Sequence, residues 1–290
     1  MPDYRKLTDR RIKEAEQSGR YMETIVRGLQ ASAFALLLEW VADKLTVEDG
    51  RIKYSASNLG KVAGLYLLFD RINNGYRKTM LGELLARAGN LFGLNNDYFN
   101  EIKPVPESVE DAARRLTLQR WGYNVETKAL IPGSYFEKLF ANEGVARNVA
   151  GLVNRAIAGK MSLSDFQKQF RRVFVGAPGN GMFERHWKTN SFDLFQKIDR
   201  AANLVYADRL GLNYAIYSGT VKDTTRPWCE KHVNKVLSRT EIEDWKNKSW
   251  AGKITIGYDP YLDAGGFSCR HHWSFISDTV AEHLRPELKT

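Results

Sequence analysis

The stretch Leu210-Gly211-Leu212-Asn213-Tyr214-Ala215-Ile216-Tyr217-Ser218 is where this chain changes its periodicity. Upstream of it, apolar residues recur three or four apart, as amphipathic helices require. Gly211 then supplies the residue that most often follows a helix end. Downstream, short extended pieces at Ala215 to Ser218 and Lys253 to Tyr258 are mixed with turns, and a final helix runs from about Ser274 to Leu284. The expected fold is a mostly α N-terminal and central helical body with a small C-terminal α+β domain. Its regions are residues 1–123, 124–212 and 213–290.

Working back from Gly211, the pattern gives a long helix over Phe183 to Leu210, preceded by a Gly176 to Gly181 linker that contains Pro178. Ser162-Leu163-Ser164-Asp165 starts a helix that continues through Phe166 to Val175, and Tyr135 to Ile157 reads as another that stops at Gly159. Ser108-Val109-Glu110-Asp111 opens a helix in capping-box style that runs to Trp121-Gly122. Nearer the N-terminus, Met80 to Phe92 and Leu59 to Ile72 are separated by Asn73-Asn74-Gly75, a turn signal. Ile12, Ala15, Met22, Val26, Phe34, Leu37 and Val41 carry one long helix, or two shorter ones, from Thr8 to about Leu45.

With 290 residues, 43% of them hydrophobic and 12% aromatic, the chain can bury real cores. Its longest apolar run, Ala31 to Leu38, falls far short of the roughly 18 residues a membrane span needs. No membrane span and synthesis in the cytoplasm are expected, and two cysteines do not make a secreted disulfide scaffold. The net charge of +9 suits a polyanion nearby, although 43 basic and 34 acidic residues are mixed along the chain. Lys160, Lys168, Arg171 and Arg172 form the strip best placed to face the phosphate of double-stranded DNA; a solvated face explains the same residues.

Both cysteines lie beyond Gly211, in Cys229-Glu230-Lys231-His232 and Cys269-Arg270-His271-His272. Each half reads Cys-x-x-His, so the two can supply a zinc tetrahedron from Cys229, His232, Cys269 and His272, with His271 the alternative last corner. The same residues fit a buried cysteine pair with histidines hydrogen-bonded nearby, a Cys229–Cys269 disulfide, or a thiol nucleophile with His232 or His271 as base and Asp223 as orienter. Around them, Asp223, Thr225 and Arg226 can pin a turn, and Gly265-Gly266 lets a second segment come close enough to set Cys269 beside Cys229. The aromatic residues Trp228, Trp245, Trp250, Tyr258, Tyr261, Phe267 and Trp273 read as the core of this region.

The order of these boxes, Asp223-Thr224-Thr225-Arg226-Pro227-Trp228-Cys229 and then Gly265-Gly266-Phe267-Ser268-Cys269-Arg270-His271, resembles the phage Mu F-like minor head proteins over roughly Tyr135 to Ile276. His271-His272-Trp273 departs from the commoner ending of that family. The resemblance implies a structural, non-enzymatic virion protein in several copies, bound to portal or major capsid protein and supporting head assembly and genome packaging or delivery. In that setting Asp223, Thr225, Arg226, Gly265, Gly266 and Arg270 are structural box residues. The competing expectation is a metal-dependent hydrolase or nuclease built on the Cys/His boxes, with Asp259 and Asp263 the nearby carboxylates.

Overall fold

The computed structural model describes residues 4–140, 143–177, 180–191 and 193–288; Pro178 of the expected linker lies outside them. A mostly helical body is followed by a smaller C-terminal region that combines a three-stranded sheet with short helices. Two compact units are built from interleaved segments: residues 1–20, 85–134 and 193–290 form one, and residues 21–84 and 135–192 form the other. The expected boundaries after residues 123 and 212 both fall inside the first unit.

The N-terminal pattern makes a single helix, Tyr4–Lys44. By length and composition it is the one described helix apolar enough to cross a bilayer. Its apolar side is nonetheless used inside the protein, since Ala15, Met22, Val26, Leu37 and Val41 are all buried. Asn73-Asn74-Gly75 does not form the expected turn but lies within the continuous helix Ala63–Asn100. Phe69, Tyr76, Met80 and Leu84 keep one buried stripe running across it. A glycine in a helix interior costs about 1 kcal/mol, less than burying even one such side chain returns.

In the second unit, aromatic side chains from successive helices interlock. Phe34 lies 5.0 Å from Phe170, Phe170 5.3 Å from Phe174, and Phe174 5.5 Å from Phe183 by ring centroids. Ser162 caps the helix Leu163–Phe174 by accepting the Asp165 N–H at 3.0 Å. Lys168, Arg171 and Arg172 are exposed on that helix; Lys160 is exposed in the turn before it. The expected helix over Tyr135 to Ile157 is described as Tyr135–Phe140 and Glu143–Ala158.

In the first unit, Leu194–Leu210 packs against Glu107–Trp121 and against the sheet. The expected single helix over Phe183 to Leu210 is in fact two, Met182–Asn190 and Leu194–Leu210, with Asp193 at the break in a left-handed conformation (φ 59°). The strands are β1 (Tyr214–Ser218), β2 (Val236–Ser238) and β3 (His272–Ile276), in the order β2-β1-β3 and antiparallel throughout. β3 occupies sequence expected to begin the last helix, which instead starts at Asp278 with Ser277 as cap. All five β3 residues are buried, and the alternation of Trp273 and Phe275 with His272 and Ser274 serves both faces of a strand. Lys253 to Tyr258 forms turns and irregular backbone, not a strand. Its Lys253 ammonium sits over the Trp250 and Tyr258 rings and donates to the Trp245 and Lys246 carbonyls, bonds that hold a coil in place of a ladder.

Candidate metal centre

The two boxes meet under β1. Its register sets Tyr217 opposite Trp273, which aims the buried Tyr217 hydroxyl at both sulfurs: 3.4 Å from Cys229 Sγ and 3.2 Å from Cys269 Sγ. Cys229 comes from the short helix Pro227–His232, and Cys269 and His271 come from the approach to β3. Ligand atoms of Cys229, Cys269 and His271 all lie within 4.8 Å of one another, and all three residues are buried. Bonds of ~2.3 Å to sulfur and ~2.0 Å to nitrogen would set tetrahedral donors about 3.5–3.8 Å apart. The 3.7 Å between Cys269 Sγ and His271 Nδ1 matches that spacing.

Cys269 sits in a nest of donors. The backbone N–H groups of Gly265 and His271 reach its sulfur at 3.3 and 3.4 Å. A hydrogen bond from Cys229 does most to hold Cys269 well below the ordinary thiol range, against burial; His271 and the Arg200 charge help. The same hydrogen bond between the two free cysteines, with burial, pushes Cys229 up. The two shifts are opposite in sign because the sulfurs share one hydrogen-bonded contact in a buried site. The His271 ring stacks on Tyr217 at 5.1 Å and leaves Nε2 buried without a partner among the described residues. Two sulfurs and an imidazole whose Nδ1 lies 3.7 Å from one of them are donors of the kind that zinc takes.

Glycines make room for this group. A Cβ on Gly265 would stand 2.2 Å from Cys229 Sγ, and one on Gly266 would stand 2.2 Å from the Gly252 carbonyl oxygen. Ala264 (φ 48°) and Ser268 (φ 62°) bracket the same loop in left-handed conformations, which cost a non-glycine residue of order 1 kcal/mol. The loop is held from the other side by Arg200, 2% exposed, which donates to the carbonyls of Leu262 (2.7 Å), Cys269 (2.6 Å) and His271 (3.1 Å). Asp193, at the helix break, accepts the Ser268 N–H at 2.6 Å and pairs with Arg270 at 3.7 Å.

The other residues expected in the tetrahedron stand outside the group. His232 Nδ1 meets the Trp228 carbonyl at 2.6 Å, with its ring against Trp228 and Trp245. His272 Nδ1 donates to Asp199 at 2.6 Å. Burial lowers the His272 pKa to about 4 against the pull of Asp199, so the contact joins a neutral imidazole to a carboxylate. Burial would raise the Asp199 carboxyl, but the Arg11 charge and the bonds from His272 and Arg11 outweigh it and keep it ionised. Arg11 meets Asp199 through two nitrogens, at 2.8 and 3.1 Å.

In the remaining box, Arg226 donates to the Phe267 carbonyl and fills the space beside Gly252. Thr225 closes the turn by accepting the Lys222 N–H at 2.8 Å; Asp223 is exposed. Trp245, Tyr261 and Trp273 are core residues, Trp228 and Trp250 stack at 4.3 Å, and Phe267 is exposed. Arg11 and Asp199 were not singled out by sequence; Arg200 is expected on the polar face of its helix but is buried, and Tyr217 carries no expected role. Asp199-Arg200 interrupting the apolar residues Ile198, Ala201 and Ala202 was the available signal.

Cys229, Cys269 and His271 also line a cavity of about 400 Å³, together with Asp9, Lys13, Lys222 and Arg226. The expectation of a non-enzymatic chain is therefore corrected. A buried Cys-Cys-His donor set on the wall of a cavity is capable of coordinating a metal ion, and a metal so held is a group that hydrolytic enzymes use. No family model, curated protein or solved structure matches the chain.

Proposed function

We propose that the first unit is a metal-dependent hydrolase, with Cys229, Cys269 and His271 as the ligands of a zinc ion. The observation that carries this reading is that the three donors form part of the wall of the 400 Å³ cavity. Three protein ligands and an open fourth position distinguish catalytic zinc sites from closed structural ones. Zinc bound there supplies Lewis-acid polarisation of a substrate oxygen. The chain's own residues do the rest. Tyr217 and the Gly265 and His271 N–H groups orient the sulfurs, and Arg200 holds the ligand loop.

The test is zinc content of the purified protein, followed by turnover of bis(p-nitrophenyl) phosphate and p-nitrophenyl acetate. Zinc bound at one equivalent, with zinc and turnover lost together in Cys229→Ser and His271→Ala, supports the reading. Absence of bound zinc after metal reconstitution refutes it.

The box order supports a second proposal, concerning place: a virion protein bound to portal or capsid protein and synthesised in the host cytoplasm. Crosslinks from intact particles to the portal support that placement, and crosslinks confined to tail proteins contradict it.

A further inference from the structure

The cavity in front of the Cys229–Cys269–His271 group does not end at its rim. A second concavity of about 320 Å³, lined by Arg5, Lys6, Asp9, Arg10 and Lys13, shares Asp9 and Lys13 with it. Seven cationic side chains and two carboxylates line the pair. Arg226 and Arg270 are committed to Phe267 and Asp193. Arg5, Arg10, Lys13 and Lys222 have no ion pair among the described residues, and all four are exposed. Thr220, Thr224, Thr225 and Ser268 line the same space. No Phe, Tyr or Trp lines either concavity, and the His271 ring there is already stacked on Tyr217, so there is no free platform on which bases would stack.

We propose that this continuous groove binds the sugar–phosphate backbone of duplex nucleic acid, with Arg5, Arg10 and Lys13 holding phosphates along the first helix and Lys222 holding one beside the metal centre. As a substrate class this rests on the hydrolytic reading above; as a binding surface it rests on the groove and its charges. The contacts are to phosphate, so binding is independent of base sequence and steeply dependent on salt.

The test uses the full chain and fluorescence anisotropy with two labelled duplexes of about 20 base pairs and unrelated sequence, between about 50 and 200 mM salt. Four phosphate contacts predict a slope of about −3.6 in log K against log salt, equal for both duplexes. Arg10→Ala with Lys13→Ala should make it shallower by about 2, and Lys222→Ala by about 1. An unchanged slope in these variants overturns the proposal. So does equal loss from Lys168→Ala with Arg172→Ala, or tighter binding to phosphatidylserine vesicles than to duplex. Repeating the titration on chelator-treated protein separates the two readings. Duplex binding without zinc uptake refutes the hydrolase alone, whereas zinc uptake without salt-dependent duplex binding refutes only the groove.

Discussion

Cys229 Sγ occupies the space that a side chain on Gly265 would need: a Cβ there would lie 2.2 Å from the sulfur, and 3.0 Å from Cys269 Sγ. The glycine is thus part of the donor geometry, since a side chain there would displace one or both sulfurs. Gly265→Ala should lower zinc affinity at least tenfold and destabilise the protein by about 1–3 kcal/mol, the usual cost of overpacking. Metal titration and urea unfolding in parallel check this; unchanged affinity would exclude the close approach.

Arg200 satisfies three carbonyls of the ligand loop at once. Arg200→Met removes all the donors while keeping much of the side-chain volume, and hydrogen bonds to charged groups are worth about 1.5–3 kcal/mol each. A loss of more than about 3 kcal/mol is expected, together with weakened zinc binding. Arg200→Lys should rescue it only in part, because one ammonium lacks the guanidinium's fork. Urea midpoints of both variants provide the measurement.

Stability should fall on mild acidification. His272 has a folded pKa of about 4, below the ordinary 6.5. Below pH 6.5 the unfolded chain takes up a proton that the folded protein refuses, so stability is lost as pH drops from about 6.5 to 4. The shift corresponds to about 3 kcal/mol across that window. Unfolding followed at pH 7 and pH 5, with chelator present to remove any metal contribution, should show the loss. His272→Gln should flatten the dependence.

Breaking the Arg11–Asp199 pair should be among the costliest single changes. Both side chains are fully buried. Asp199→Asn strands the guanidinium, and an uncompensated buried charge costs about 3–5 kcal/mol. Thermal unfolding reads the effect, and a loss below about 1 kcal/mol would contradict the buried pair.

Within the Asp223-Thr224-Thr225-Arg226 box, the work falls on Thr225. Thr225→Val should cost about 1 kcal/mol by removing the bond to the Lys222 N–H, whereas Asp223→Ala, at an exposed position, should stay within about 0.5 kcal/mol. Equal effects in chemical denaturation would show that Asp223 also closes the turn.

Patterns local to a few residues were legible without coordinates. The helical body, the cap at Ser162, the stop at Gly211 and the extended segment at Tyr214–Ser218 all follow from periodicity and capping chemistry. Misreadings arose where distant packing overrode a local signal. Asn73-Asn74-Gly75 is a turn sequence, yet the buried stripe through Tyr76 carries the helix across it. Ser274 continues a helical-looking pattern, yet it sits in β3, with its hydroxyl bonded to Ser218 and Thr8.

Sequence alone established that two thiols and neighbouring imidazoles lie in one region beyond Gly211, because residue type and spacing are properties of the chain. Which imidazole joins the sulfurs was left to the fold. Antiparallel pairing of β1 with β3 sets Tyr217 opposite Trp273, and the bond from His272 to Asp199, beside buried Arg11, takes that imidazole out of contention. His271 remains beside Cys269, on the rim of a cavity. The physical reason is that His272 opens β3, where pairing fixes its side chain's direction, while His271 lies in the approach before it, so the choice between two adjacent histidines depends on where the strand begins, and that is fixed by partners far away in the chain.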